Sequence, residues 1–357
     1  MHPPLGIIEG FYGALWSWEA RRRVMERLAP HGFSFYLYAP KGDPLLREEW
    51  YNPVPPEVRK QLGDFAVACR GQGVRFGIGL SPLGALASFD EVIKQALLQR
   101  LRFFDEIGVQ DLTIQFDDAL ADLPDLAARQ AELVHWVREH CAVERIILCP
   151  SYYSEDPVLD VLFGLRPEGY LETLGQSLDS DIEVFWAGEE ICARQWSPGH
   201  LERVAERLQR RPVLWDNYPV NDNDAMANHL HLRGFTGRPA SIGPLCSAHA
   251  INPALQPTLS CIPAITLADS YRKGDAYEYM ESTLAAMVEV LGESLAAQLF
   301  ADLPVLQDAG RPCQRLGKTS PACGLCGLGS SCRAGGGGVA GRLLRYLLLS
   351  QHCPVRL

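Results

Sequence analysis

The stretch Leu112-Thr-Ile-Gln-Phe116-Asp-Asp118 sets the reading of the whole chain. A short, mostly apolar run stops abruptly at two adjacent carboxylates. The run is too short for a helix and too apolar for the open face of an antiparallel sheet, so it fits a strand buried on both sides. Residues 124–140 follow with apolar positions at three- and four-residue steps, the pattern of an amphipathic helix. Working outward, the same alternation recurs. Runs starting at Leu5, Phe33, Val74, Leu112, Arg145, Ile182, Pro212 and Ile242 read as strands, and residues 18–30, 56–71, 88–106, 124–140 and 198–210 read as helices. Eight β-then-α units predict an α/β fold closed on itself, a (β/α)8 TIM barrel. An open doubly wound sheet is the alternative, disfavoured because no Gly-rich phosphate turn follows a strand.

Residues 1–275 are therefore expected to form the barrel. Tyr277 to Leu306 reads as one or two further helices, so 276–308 is expected to be a short C-terminal helical extension. Residues 309–357 lose all periodicity and are expected to be an irregular, disordered tail, rich in Gly and Cys.

Composition narrows the function. The 357 residues carry 33 Lys+Arg against 43 Asp+Glu, a net charge of −10, which argues against nucleic acid or an anionic membrane as partner. No run approaches the length of a membrane span, and no secretory leader is expected, since Leu5-Gly-Ile-Ile-Glu9 reads as a strand. Cys69, Cys141, Cys149, Cys192, Cys246 and Cys261 are scattered through apolar contexts, as reduced thiols are, so a cytoplasmic location is expected. Oligomeric state is left open. The charge is unevenly spread: after Asp308 there is no acid, yet seven basic residues, five of the eleven Cys and ten of the 32 Gly fall there. Cys313, Cys323, Cys326 and Cys332 have spacings able to hold zinc, but only one CxxC is present. A disordered tail, even a frame-shifted end, is the preferred expectation, with no metal and no cofactor.

Chemistry in such a barrel sits at the C-terminal strand ends. These ends are unusually polar: Glu9-Gly10, Lys41, Asp117-Asp118, Ser151-Tyr152-Tyr153 and Asp216-Asn217, with Asn221-Asp222 close behind. Two neighbouring carboxylates at the end of an apolar strand cannot both ionise cheaply in one desolvated pocket, and on an extended backbone they point to different sides. That suits two different tasks, one of them proton transfer. Helix capping is the competing account of an isolated Asp-Asp. Lys41, Asn217 and Asp222 taken singly read as loop residues, and Tyr153 and Trp215 as core or rim aromatics. Together they are the residue types that hold sugars.

Gly6-Ile-Ile-Glu-Gly-Phe-Tyr-Gly13, Tyr36-Leu-Tyr-Ala-Pro-Lys41, Phe116-Asp-Asp118 and Trp215-Asp-Asn217 with Asn221-Asp222 resemble glycoside hydrolase family 84, over about residues 5–275. That family includes protein O-GlcNAcases and bacterial β-N-acetylglucosaminidases, some called hyaluronidases. The resemblance implies a (β/α)8 barrel and a retaining, substrate-assisted mechanism, an exception to the usual carboxylate nucleophile. The 2-acetamido group of the sugar attacks the anomeric carbon and forms an oxazoline. It implies that Asp117 holds the acetamide N–H and that Asp118 is the acid and then the base. Gly10, Lys41, Asp222 and Asn252 would bind sugar hydroxyls, Cys149 and Trp215 would line the acetamide methyl pocket, Tyr153 would bond near the acetamide, and Asn217 would lie beside the reacting centre.

The sequence departs from the family at the rim. Lys41 is followed by Gly42-Asp43 instead of two acids, Leu45-Leu46-Arg47 stands where an aromatic-His-Arg is common, and Tyr152 replaces an acid. Asn252 follows an unusual stretch, Cys246 to Ile251. The expected partner is a GlcNAc-containing glycan or glycoprotein. A non-catalytic GlcNAc-binding module, or a hexosaminidase acting on fragments such as hyaluronan, is the alternative. A metal-dependent hydrolase is disfavoured, because no HxH or HExxH pattern stands at a strand end.

Overall fold

Eight short parallel strands are the frame of the molecule: β1 (Leu5–Ile8), β2 (Phe33–Tyr38), β3 (Arg75–Leu80), β4 (Asp111–Gln115), β5 (Arg145–Cys149), β6 (Glu183–Trp186), β7 (Val213–Asp216) and β8 (Ala248–Ile251). Each pairs with the next, and β8 closes on β1 through Leu5↔His249 and Ile7↔Ile251. The computed structural model describes residues 2–117, 123–223 and 226–309. The predicted TIM barrel is thus present.

The helices are α1 (Trp18–Leu28), α2 (Pro56–Gly71), α3 (Glu91–Ile107), α4 (Leu126–Glu139), α5 (Val158–Phe163), α6 (Tyr170–Ser177), α7 (Pro198–Leu208), α8 (Pro257–Lys273), α9 (Tyr279–Leu291) and α10 (Glu293–Ala301). Local chemistry sets their ends. The Ser17 hydroxyl accepts the Ala20 N–H at 3.1 Å and starts α1. Asp90 does the same for α3, which Gly108 stops with φ 73°, a left-handed conformation that glycine adopts without Cβ strain. Helix α8 lies between α1 and α9 and is buried around most of its circumference, which erases the amphipathic pattern by which the others are recognised. Residues 276–308 are mostly helical, with a π-helical turn at Pro304–Ala309. Beyond Ala309 the expected tail, with its four spaced cysteines, lies outside the described residues. No helix among the described residues is long and apolar enough to cross a membrane.

One strand differs from expectation. Ile242-Gly-Pro-Leu-Cys, expected as the eighth, forms a 3₁₀ turn at Ala240–Leu245, and the strand is Ala248–Ile251. Pro244 has no N–H to give a central ladder. The true strand is hard to recognise because its inward residues are small. Ala248 and Ala250 belong to the cluster that fills the barrel, with Phe35, Leu37, Ile147, Phe185, Val213 and Trp215. Ala250 pairs in register with Trp215. Large rings from β2 and β7 need small neighbours: a Cβ on Gly6 would stand 2.2 Å from the Phe35 ring. The barrel is therefore a packed core with layers of alternating size, and only its rim is free for chemistry.

Candidate active site

Alternation along β7 decides which side chains reach the rim. Val213 and Trp215 point inward and Asp216 outward, so Asn217, one residue past the strand, returns to the inner side. The Asn217 Oδ1 accepts the Trp215 Nε1–H at 2.9 Å and the Asn252 Nδ2–H at 2.9 Å. Asn252 Oδ1 in turn accepts the Gly10 N–H at 3.0 Å. Gly10, Trp215, Asn217 and Asn252 thus form one network joining the ends of β1, β7 and β8. The Asn217 Nδ2 donates to the Ile191 carbonyl at 2.8 Å in the loop after β6.

Gly10 has a steric reason to be glycine, since a Cβ there would lie 2.1 Å from Trp215 Cζ2. Gly10→Ala is expected to push the indole off Asn217, costing about 1–3 kcal/mol of stability by overpacking. Urea unfolding with a glycosidase assay checks this, and a variant of normal stability and activity would contradict it.

Lys41 comes from the loop after β2, whose backbone is held by the Lys41 N–H to the Phe11 carbonyl at 3.0 Å. Its Nζ donates to Asp117 Oδ2 at 2.6 Å and Gln115 Oε1 at 3.2 Å. The pair is buried, with side-chain exposures of 3% and 10%. Lys41 Nζ is also 5.8 Å from the Trp215 ring centroid, so the indole stands between the asparagine network and the ion pair. Cys149 is buried in the cluster that contains Trp215, and Tyr153 packs against it. Asp222, in the loop after β7, accepts the Tyr12 N–H through its Oδ2 at 2.8 Å, which ties that loop to the one after β1. A cleft of about 1020 Å³ also touches Asn217, but its wall is made by Cys192, Phe235, Arg238 and Tyr279 and includes none of Gly10, Lys41, Asp117, Cys149, Tyr153 or Trp215. Of the residues expected in the site, Asp118 lies outside the described residues.

Several polar residues at strand ends are not at the rim. Glu9 is fully buried behind β1, where Arg21 grips it at 2.7 and 2.9 Å and the Tyr36 hydroxyl donates to it at 2.7 Å. Asp216 likewise faces the helical layer, bound by Arg238 at 2.6 and 2.9 Å and by His249 Nε2 at 3.0 Å. Burial by itself pushes the Asp216 carboxyl up, but the Arg238 charge and the bonds from His249 and Arg238 overcome this and hold it at about 2. The unfolded chain would ionise this carboxyl near 3.9. Its contribution to stability is therefore complete above about pH 4 and is lost as pH falls toward 2. Asp216→Asn is expected to cost roughly 3–5 kcal/mol at neutral pH, because it leaves Arg238 buried without its counter-charge. The difference from the parent should shrink between pH 4 and 2. Unfolding curves across that range test this, and a gap independent of pH would overturn it.

Gln115 and Arg238 carry no motif in the sequence. A Gln inside an apolar strand is the one available signal for the first. Tyr152 is fully buried and donates to the Gly164 carbonyl at 2.7 Å, so it serves the packing of the loop after β5.

A family model for beta-N-acetylglucosaminidase matches residues 5–302. The chain belongs to this family. Protein O-GlcNAcase of Rattus norvegicus and of Mus musculus are each 28% identical to it over 277 residues, covering 75% of this chain and 30% of theirs. The chain thus matches less than a third of the length of these curated relatives. A Thermobaculum terrenum O-GlcNAc hydrolase mutant superposes with a TM-score of 0.74 at 30% identity, over 82% of this chain and 64% of that one. CpGH84B superposes with a TM-score of 0.74 at 26% identity, over 87% and 55%. The resemblance to glycoside hydrolase family 84 is borne out by these relatives. Among the described residues of this β-N-acetylglucosaminidase relative, no cluster of three or more His, Cys, Asp or Glu side chains could hold a metal ion.

Proposed function

We propose that the chain is a retaining β-N-acetylglucosaminidase that removes terminal β-linked GlcNAc, with the acetamide of the substrate as nucleophile. The observation that carries this reading is the buried Lys41–Asp117 pair set against the Trp215 indole, at the end of the strand where the two acids stand. Paired with an ammonium, Asp117 serves as an acceptor, suited to an acetamide N–H and to the positive charge that develops on the oxazoline ring. Trp215 and Cys149 give the acetamide methyl an apolar wall, and Tyr153 stands beside that wall. Asp118 protonates the leaving oxygen and then takes the proton of the incoming water. The Gly10 carbonyl, Lys41 and Asp222 meet the sugar hydroxyls. Asn252, whose amide is engaged at both ends by Gly10 and Asn217, also serves as a strut between them.

The natural substrate is proposed to be an O-GlcNAc-modified protein, since two of the relatives are named protein O-GlcNAcase and a third O-GlcNAc hydrolase; a cytoplasmic location is proposed with it, from the scattered thiols of the chain. The experiment compares a GlcNAc-modified peptide, hyaluronan fragments and chitobiose, and follows the anomeric product by NMR. The peptide is expected to give the highest kcat/KM and β-GlcNAc as first product. Faster hyaluronan cleavage would favour the hexosaminidase reading, α-GlcNAc as first product would exclude retention, and binding without turnover would favour a sugar-binding module.

A further inference from the structure

Arg238 lies on the outside of the barrel, between β7 and β8, and is only 7% exposed. All five of its N–H donors are used. Nε and Nη2 hold the two oxygens of Asp216. The second Nη2 proton goes to the Ala193 carbonyl at 2.8 Å, and Nη1 goes to the Arg194 carbonyl at 2.7 Å and the Thr236 carbonyl at 2.8 Å. One planar fork therefore joins the carboxylate of Asp216 to the loop that follows β6.

Both ends of this brace touch Asn217. Asp216 precedes it in the chain, and the Asp216 carbonyl holds the Asn252 N–H at 2.8 Å. The braced loop supplies the Ile191 carbonyl that takes one Nδ2 proton of Asn217. An asparagine amide offers two acceptor positions and two protons. In Asn217, Trp215 and Asn252 occupy the oxygen and Ile191 takes one proton, which leaves a single N–H. The position of the Ile191 carbonyl fixes which proton is left and where it points.

We infer that Arg238 is a positioning residue of the glycosidase reaction, acting through Asn217 by fixing the direction of the one amide N–H that faces the reacting sugar. The inference rests on the reading above that places Asn217 beside the reacting centre. A lysine cannot replace the brace, because an ammonium has three donors and no planar fork.

The test is a double-mutant cycle on an aryl β-N-acetylglucosaminide, at a temperature well below the melting point of every variant. Arg238→Gln is expected to lower kcat by about 10- to 100-fold, as misplacement of a reacting group does, with KM changing by less than about threefold. In an Asn217→Ala background the same change should cost less than about twofold, because the group it positions is gone. Equal losses in both backgrounds would overturn the inference and leave Arg238 a purely structural residue. If Asn217→Ala alone leaves kcat unchanged, the placement of Asn217 fails, and the inference fails with it. Should Arg238→Gln not fold, Arg238→Lys enters the same cycle with the same criteria.

Discussion

Asp118→Ala is expected to slow hydrolysis of substrates with poor leaving groups, such as serine-linked GlcNAc, by roughly 10²–10⁴, the range that general acid–base catalysis contributes. A serine alkoxide cannot depart without a proton, so loss of the acid falls on bond cleavage itself. Activated aryl glycosides depart with little help and should lose far less in their first step. For these the remaining cost lies in the second step, where water must be deprotonated, so a small nucleophile such as azide is expected to restore turnover. The measurement is kcat/KM for a series of aryl leaving groups of graded acidity. A steep dependence on leaving-group acidity in the variant, absent in the parent, supports the assignment. Equal loss across the series would sink it.

Asp117→Asn should act differently. The substitution keeps the shape of the side chain and removes the charge that pairs with Lys41 at 2.6 Å. It also replaces one acceptor with an N–H that would face the acetamide N–H of the sugar. Loss of one such aligned group costs about 10²–10³ in kcat. Because the damage falls on formation of the oxazoline, activated and poor leaving groups should suffer alike. The two neighbouring acids are thus separated by one experiment, the slope of rate against leaving-group acidity. A shallow slope for Asp117→Asn and a steep one for Asp118→Ala are the expected pair, and the reverse would exchange their roles.

The frame of the molecule is legible in the chain where burial is uniform. Seven strands stand within about a residue of the apolar runs that announce them, because a strand covered on both faces is made mostly of apolar residues. The eighth is displaced because its inward positions are alanines, matched to the bulk of Trp215 on the adjacent strand and of Phe35 in the same cluster and not to any local preference. Helix α8 escapes pattern recognition for the same reason, being covered on most sides. Among the polar residues, those that stand at strand ends are readable, but the side they face is not. Glu9 and Gly10 are neighbours, yet Glu9 faces Arg21 and Tyr36 while the Gly10 N–H faces Asn252. Arg238 is invisible for another reason. Its partners are a carboxylate 22 residues away and carbonyl oxygens on a loop, and backbone acceptors leave no trace in a sequence.

The hydrogen bond from the Gly10 N–H to Asn252 spans 242 residues, and the one from the Tyr12 N–H to Asp222 spans 210. During synthesis, the polypeptide has made nearly all of its barrel before either contact becomes possible. Contacts so distant along the chain carry a large loop-closure cost and form late. Turnover of a chromogenic sugar is therefore a reporter on the last seam. In a refolding experiment it should lag behind the return of helical circular dichroism.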